Sequence, residues 1–328
     1  MQAAFAMTPD LQHRFFDASM LAELGELVDL DPGSVLTSYD DPRAAEVEVL
    51  VTAWGTPTID AAALDRMPRL RAVVHAAGSV KYFLDEDAWA RGIRVTSAVD
   101  LNARPVAEYA LAAVLWATKS VLPLTARFRT ERVAPDLTVD DAIDGSYGTV
   151  VGILGASATG RALIEMLAPF DLVVLVADPT IDAAQAEALG VELVDLDTLF
   201  DRSRVVSVHA PLVPETHHLV DARLLSRMGD GATLVNTARG AVVDHDALRE
   251  ELLTGRLRAV LDVTDPEPLP DDDPLWDLPN VTLTPHVAGS QGAELRRLGR
   301  SAVDEVRALV EGRPPLRPVD PARLATSA

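Results

Sequence analysis

Three small residues, set at fixed spacing behind an apolar run, are the first place in this chain where chemistry could happen. In Thr149-Val-Val-Gly-Ile-Leu-Gly-Ala-Ser-Ala-Thr-Gly160 the pattern G-x-G-x-x-G falls on Gly155, Ser157 and Gly160, with serine at the middle position. A glycine at the first position permits a tight turn from strand into helix, and one at the third lets the helix pack closely on the strand. The middle position governs how near the backbone comes to a pyrophosphate. The phosphate charge then sits on the helix start, here Ala158 and Thr159. Serine is the smallest polar replacement, and its hydroxyl could donate to phosphate. The next apolar run ends at Asp178. A carboxylate there would accept hydrogen bonds from adenosine ribose hydroxyls and repel a 2′-phosphate. Pro179, Thr180 and Ile181 offer no arginine to offset that repulsion, so the pattern favours NAD over NADP. On these residues alone the other reading stays open, that the glycines and the acid only mark turns.

Particular elements must hold such a loop. Continuous apolar, β-branched runs recur at 46–51, 70–75 and 93–96, then at 149–154, 172–177, 191–194, 205–209, 233–236, 260–263 and 281–283. Runs without polar alternation fit strands covered on both faces. Helical patterns lie between them, at 161–167, 183–188 and 246–253 for example. Strand–helix alternation of this kind builds parallel sheets from right-handed βαβ units. The expected fold is α/β, two domains of doubly wound parallel sheet, the larger a Rossmann-type dinucleotide-binding domain. A helix-like stretch at 107–119 and a charged segment with Pro and Asp at 127–145 separate the two groups of strands. The smaller, substrate domain is expected at 1–105 plus 293–328, and the NAD-binding domain at 106–292. The Pro-rich tail at 313–321 should run extended on the surface.

Composition narrows the partners. A chain of 328 residues allows roughly two domains, and 48% hydrophobic residues can bury a sizeable core. Fifty acidic against 29 basic side chains give a formal net charge of −21, which repels nucleic acid and anionic membranes. An anionic ligand therefore needs a local cluster of cations or backbone N–H groups. The absence of cysteine excludes disulfides, thiolate metal sites and a Cys nucleophile. Together with an N-terminus lacking a basic-then-apolar pattern, it fits a cytoplasmic protein.

Three further stretches are more specific than the glycine loop. They are Val208-His-Ala-Pro-Leu-Val-Pro-Glu-Thr216 with Leu234-Val-Asn-Thr-Ala-Arg-Gly-Ala-Val-Val-Asp244, then Leu261-Asp-Val-Thr-Asp-Pro-Glu-Pro268, then Pro279-Asn-Val-Thr-Leu-Thr-Pro-His-Val-Ala-Gly289. In order and separation they resemble the D-isomer-specific 2-hydroxyacid dehydrogenase family, over residues 49–302. The resemblance implies that Arg239 holds a substrate carboxylate and polarises its carbonyl. It implies that His286 is the acid–base and Glu267 its carboxylate partner. Asp262 matches a family aspartate that contacts the nicotinamide carboxamide. His209, Ala210, Pro211, Thr216, Thr237 and Ala238 fall where the family lines the cofactor cleft. These residue types suit the chemistry. Histidine can donate a proton near neutral pH, a carboxylate fixes its tautomer, and arginine fits a carboxylate with two bonds at once. No metal is required.

The resemblance is weaker in the first domain. His75-Ala-Ala-Gly-Ser-Val-Lys81 lies where the family holds the substrate carboxylate on backbone N–H groups, which points to Gly78, Ser79 and Val80. The resemblance of Asn102-Ala-Arg-Pro-Val-Ala-Glu108 to the family segment opening the interdomain helix implies that Asn102 faces the cleft, with Lys81 and Arg104 as candidates to bind a second anionic group. The implied function is an NAD-dependent oxidoreductase interconverting a small anionic 2-keto acid and a D-2-hydroxy acid, with a hinge closing on substrate and a homodimer as the assembly. An NAD-sensing interaction protein of the same fold is the alternative. Formate dehydrogenase is a third reading, but it should carry glutamine at position 267. The sequence departs from the family at Ser157, at Thr264, where an aromatic residue is common, and in a shortened stretch before Asp262.

Elsewhere the bland readings prevail. Adjacent His217 and His218 would point apart on a strand, a poor start for a metal site. His13 and His245 should face solvent, 271–273 should be a solvated acidic loop, and Trp54, Trp89, Trp116 and Trp276 should be packing groups.

Overall fold

The computed structural model describes residues 1–134, 136 and 145–324. Parts of two expected segments, 135 and 137–144 within 127–145 and 325–328 at the end of 293–328, lie outside the described residues. The described chain clusters into two units, 1–102 with 290–324, and 103–289.

The first unit carries a parallel sheet of β1 (Gln2–Ala6), β2 (Asp29–Val35), β3 (Val49–Thr52), β4 (Ala72–His75) and β5 (Arg94–Ser97), in the order β2-β1-β3-β4-β5. β3 and β4 are buried along their whole length, including the polar Thr52 and His75 at their ends, as strands covered on both faces are. One face of the sheet packs on Phe15, Phe16, Met20 and Leu24, together with Leu298, Ala302 and Val306 of the late helix Leu295–Val310. That helix approaches so closely that a Cβ on Gly299 would lie 2.0 Å from the Phe15 carbonyl oxygen. Arg300 and Arg307 clamp Glu23, the latter at 2.6 Å. Their hydrogen bonds hold its carboxyl down at about 2.

The second unit carries β6 (Val150–Leu154), β7 (Val173–Ala177), β8 (Glu192–Leu193), β9 (Val205–Val208), β10 (Thr233–Asn236), β11 (Arg258–Leu261) and β12 (Val281–Leu283). All pair in parallel, in the order β12-β11-β10-β9-β6-β7-β8. The strand order reverses between β6 and β9, which makes this the dinucleotide-binding arrangement, extended by one strand. Ala107, Ala110 and Val114 of the helix Val99–Thr118 pack with Leu163 and Ile164 on one face. Phe200, Leu224, Leu248 and Leu252 fill the other.

Much of the acidity starts helices. Asp17, Asp60, Asp182, Asp195, Asp221 and Asp244 each accept a backbone N–H of a first helical turn, at 2.7–3.1 Å. Each such cap is worth about 1 kcal/mol.

Several expectations need correction. β1 and β2 carry no β-branched run and were not expected. The helix expected at 107–119 begins at Val99, where Ser97 Oγ accepts the Val99 N–H at 3.2 Å, and it carries Pro105 inside. β11 lies two residues before the expected 260–263, which leaves Asp262 just beyond the strand. The tail is tied down rather than merely extended. Val319 N–H donates to the Val95 carbonyl at 3.0 Å, and Glu305 accepts the Leu316 and Arg317 N–H groups. His245 does not face solvent. It is buried at the start of the helix His245–Leu253, and burial pushes its pKa down. Asp273 is buried too, accepting from Arg249 at 2.7 Å and capping Leu275, while Asp271 and Asp272 are exposed. Trp54, Trp116 and Trp276 are partly exposed, at 42%, 53% and 49%, and Trp54 meets Phe15 edge-on at 5.3 Å. Among the described residues no single helix is long and apolar enough to cross a membrane.

Candidate active site

In the 103–289 unit, six of the seven strands deliver a predicted site residue just past their C-terminal ends. The glycine loop follows β6. Gly155 has φ +100°, and a Cβ there would lie 2.6 Å from the Ala210 nitrogen, so both conformation and contact demand glycine. A Cβ on Gly160 would lie 2.1 Å from the Gly155 oxygen. Ser157 sits at φ −64° as the N-cap of the helix Ala158–Leu167, its hydroxyl accepting the Gly160 N–H at 3.3 Å. The middle position therefore needs no glycine conformation, and the serine completes the helix start. The N–H groups of Ala158 and Thr159 have no acceptor among the described residues. They stand at the positive end of the helix, where an anion is favoured.

Asp178 follows β7 and is engaged with its own loop. Its carboxylate accepts the Ala156 N–H at 2.6 Å and the Thr180 N–H at 2.7 Å, fixing the loop it serves. His209 follows β9. Its Nε2 meets Ser207 Oγ at 2.8 Å, and burial pushes its pKa down to about 4, so it is neutral near pH 7. Its Nδ1, and the hydroxyl of buried Thr237 after β10, have no hydrogen-bond partner among the described residues. Orphaned polar atoms of this kind call for a polar ligand. Two of them, beside a glycine cradle that a Cβ would fill and free N–H groups at a helix start, fit a dinucleotide. Ala210 is buried and Pro211 half-buried. Thr216 turns its hydroxyl to the Pro211 carbonyl at 2.5 Å and accepts the Val213 N–H at 2.9 Å, which closes its own loop.

Arg239, Glu267 and His286 follow the adjacent strands β10, β11 and β12. Asn236 shapes the first of these loops. Its side chain accepts the Ala238 N–H and donates to the Arg239 carbonyl, both at 3.0 Å. Gly240 then presses on the segment leading to Glu267, where a Cβ would lie 2.0 Å from the Thr264 oxygen. Glu267 Oε1 meets His286 Nδ1 at 2.7 Å, and both side chains are well exposed, at 43% and 51%. An ionised carboxylate only accepts, so against it Nδ1 carries the hydrogen. His286 itself has φ +53°, a left-handed backbone rare for a β-carbon residue.

Asp262 holds that unusual loop. It is 2% exposed, and its carboxylate accepts Thr284 Oγ1 at 2.6 Å, Val287 N–H at 2.8 Å and Ala288 N–H at 2.9 Å, while its carbonyl accepts the His286 N–H at 3.0 Å. Tyr109 OH reaches Thr284 Oγ1 at 2.7 Å. Sequence alone assigns no role to Asn236, Thr284 or Tyr109. The first two lie inside the quoted motifs, and that was their signal; Tyr109 had none.

In the 1–102 unit the turn after β4 leaves the N–H groups of Gly78, Ser79 and Val80 without an acceptor among the described residues. Ser97 Oγ donates to the Gly78 carbonyl at 2.5 Å, and the Val80 side chain is buried. Asn102 Oδ1 accepts the Ser290 N–H at 3.1 Å. Arg104, on the helix Val99–Thr118, pairs with Glu108 one turn on at 3.1 Å, with both side chains exposed. His75, buried beneath the turn, meets Thr52 Oγ1 at 2.9 Å, and burial pushes its pKa down to about 3. His217 and His218 do not point apart. They leave a turn rather than a strand, His218 at φ +52°, and their rings stack 4.0 Å apart.

The model of the family "D-isomer specific 2-hydroxyacid dehydrogenase, NAD binding domain" matches residues 111–288. D-3-phosphoglycerate dehydrogenase of Mycobacterium tuberculosis is 34% identical over 268 residues, 81% of this chain and 50% of that protein. The chain thus spans about half the length of the mycobacterial relatives it matches. Glyoxylate reductase of Korarchaeum cryptofilum is 33% identical over 278 residues, 83% of this chain and 82% of that protein. Among solved structures, D-mandelate dehydrogenase of Rhodotorula graminis superposes with TM-score 0.81 at 25% identity, over 97% of each chain.

Proposed function

Because this chain belongs to the D-isomer-specific 2-hydroxyacid dehydrogenase family, we propose that it interconverts a small 2-keto acid and the matching D-2-hydroxy acid, with NAD as its cofactor. The observation that carries the reading is the 2.7 Å Glu267–His286 pair, set on loops next in the sheet to the one that carries Arg239.

Bound nicotinamide supplies or accepts the hydride. The protein's own residues do the rest. The N–H groups of Ala158 and Thr159, with the Ser157 hydroxyl, hold the pyrophosphate. Asp178 serves the adenosine ribose, and His209 and Thr237 offer their unpaired atoms to the cofactor. Asp262 keeps the His286 loop in place. His286 Nε2 gives a proton to the carbonyl oxygen in reduction and takes one from the hydroxyl in oxidation. Glu267 holds the ring in the tautomer that this needs. The Arg239 fork binds the carboxylate and draws charge toward the carbonyl. In the smaller unit, the reading assigns carboxylate binding to the N–H groups of Gly78, Ser79 and Val80, a nest for an anion, with Asn102 bracing their neighbourhood. The reading includes a homodimer. Trp116, Phe128 and Tyr147 are exposed, and the helix Val121–Glu131 buries no residue, so a second copy would have apolar surface to cover.

A panel of 2-keto acids, followed by loss of NADH and NADPH absorbance, tests the proposal. At least one acid should be reduced with NADH, and Arg239→Ala and His286→Ala should abolish that turnover while NADH still binds. Glu267→Gln should reshape the pH–rate profile. Full activity in either alanine variant would remove the mechanism.

A further inference from the structure

We propose that His217, His218 and Asp265 form a binding site for one divalent transition-metal ion of the zinc class, separate from the reaction chemistry. The nitrogens of the two rings and a carboxylate oxygen of Asp265 all lie within 4.8 Å of one another. The convergence is built by the backbone. The left-handed turn at His218 swings its ring back over His217, to a centroid distance of 4.0 Å and an interplanar angle of 26°. The turn is pinned on both sides, His217 N–H donating to the Val213 carbonyl at 3.0 Å and His218 N–H to the Ala241 carbonyl at 2.8 Å.

The three side chains are exposed, and none makes a hydrogen bond or ion pair with another described residue. Two stacked imidazoles and an acid are thus uncommitted donors, in a chain whose net charge of −21 favours a cation. Two imidazole nitrogens with one carboxylate oxygen suit Zn²⁺, Cu²⁺ or Ni²⁺ rather than Mg²⁺ or Ca²⁺. Tetrahedral zinc brings its ligand atoms to about 3.3 Å of one another, which asks for modest side-chain rotation at an open surface. One or more remaining positions would hold water. The ion would tether the 211–218 loop to the segment that reaches Glu267 two residues after Asp265.

Calorimetric titration of the tag-free full chain with Zn²⁺ tests this, paired with thermal unfolding in the same buffers. One saturable ion per chain is expected, raising the unfolding midpoint as any ligand of the folded state must. The double variant His217→Asn with His218→Asn should lose both effects. Asparagine tolerates the left-handed backbone at 218, so the turn survives the change. Asp265→Asn should weaken uptake with the stoichiometry unchanged. No saturable uptake by the parent chain, or uptake and stabilisation that persist in the double variant, would overturn the site. Uptake by Asp265→Asn equal to that of the parent would overturn the three-ligand assignment.

Discussion

Replacing Asp262 should damage stability and turnover together, in an order that its hydrogen bonds dictate. Its buried carboxylate accepts three bonds, from Thr284 Oγ1, Val287 N and Ala288 N, at 2.6–2.9 Å. In Asp262→Ala two backbone donors lose their acceptor, and each unmet buried donor costs about 1–3 kcal/mol. Partial relaxation lets water reach one of them, which leaves roughly 3 kcal/mol as the expected loss. Asp262→Asn keeps one oxygen for Thr284 and Val287 but turns an NH₂ against the Ala288 N–H, so it should cost about 1–2 kcal/mol. Both variants free the loop that sets His286 at φ +53°. A 1 Å misplacement of a reacting group can cost about a hundredfold in rate. Urea unfolding followed by circular dichroism gives the first quantity, and keto-acid reduction with NADH the second. An Asn variant with the parent midpoint and the parent turnover would refute the claim that this carboxylate organises the loop.

Gly240→Ala must push back the Thr264 carbonyl, 2.0 Å from the new Cβ, and with it the segment bearing Glu267, so kcat should fall about tenfold to a hundredfold while NADH affinity, read by fluorescence titration, holds. Gly155→Ala faces both φ +100° and a 2.6 Å clash with the Ala210 nitrogen; it should lose NADH binding, and unchanged affinity would show that the loop is not the cofactor's seat. Acid should destabilise the fold early, because His75 and His209 are buried neutral, at about 3 and about 4 against an ordinary 6.5. Their contribution is complete above 6.5 and is lost as pH falls towards those values, since the unfolded chain takes up the protons first, at up to about 1.4 kcal/mol per pH unit for each. Glu23, held at about 2 against 4.5, adds to this only below 4.5, so a flat urea midpoint between pH 6.5 and 4.5 would contradict the histidine account.

The second unit was far more legible in sequence than the first. Most of its strands are rich in β-branched and apolar residues, as in Val173–Ala177 and Val205–Val208, because helices cover both faces, and its loops carry motifs with fixed chemistry. β1 escaped because Gln2-Ala-Ala-Phe-Ala has no β-branched residue; its pairing with β2 and β3, not its propensity, makes it a strand. β2 contains Pro32 and Gly33, which read as a turn. As the edge strand it tolerates proline, and its register with β1 slips between Ala3 and Phe5. His245 looks solvent-facing in sequence because it is a polar residue at a helix start, whereas its ring turns inward. The stacking of His217 on His218 depends on a single positive φ, which no local pattern announced.

The aspartate caps bear on how this protein can be engineered. Six carboxylates that look like spare surface charge are the hydrogen-bond acceptors on which helices begin. Asparagine keeps that oxygen, so swapping all six would strip six negative charges and leave every helix its starting point. Lysine at the same positions would change the charge faster, at the cost of frayed first turns.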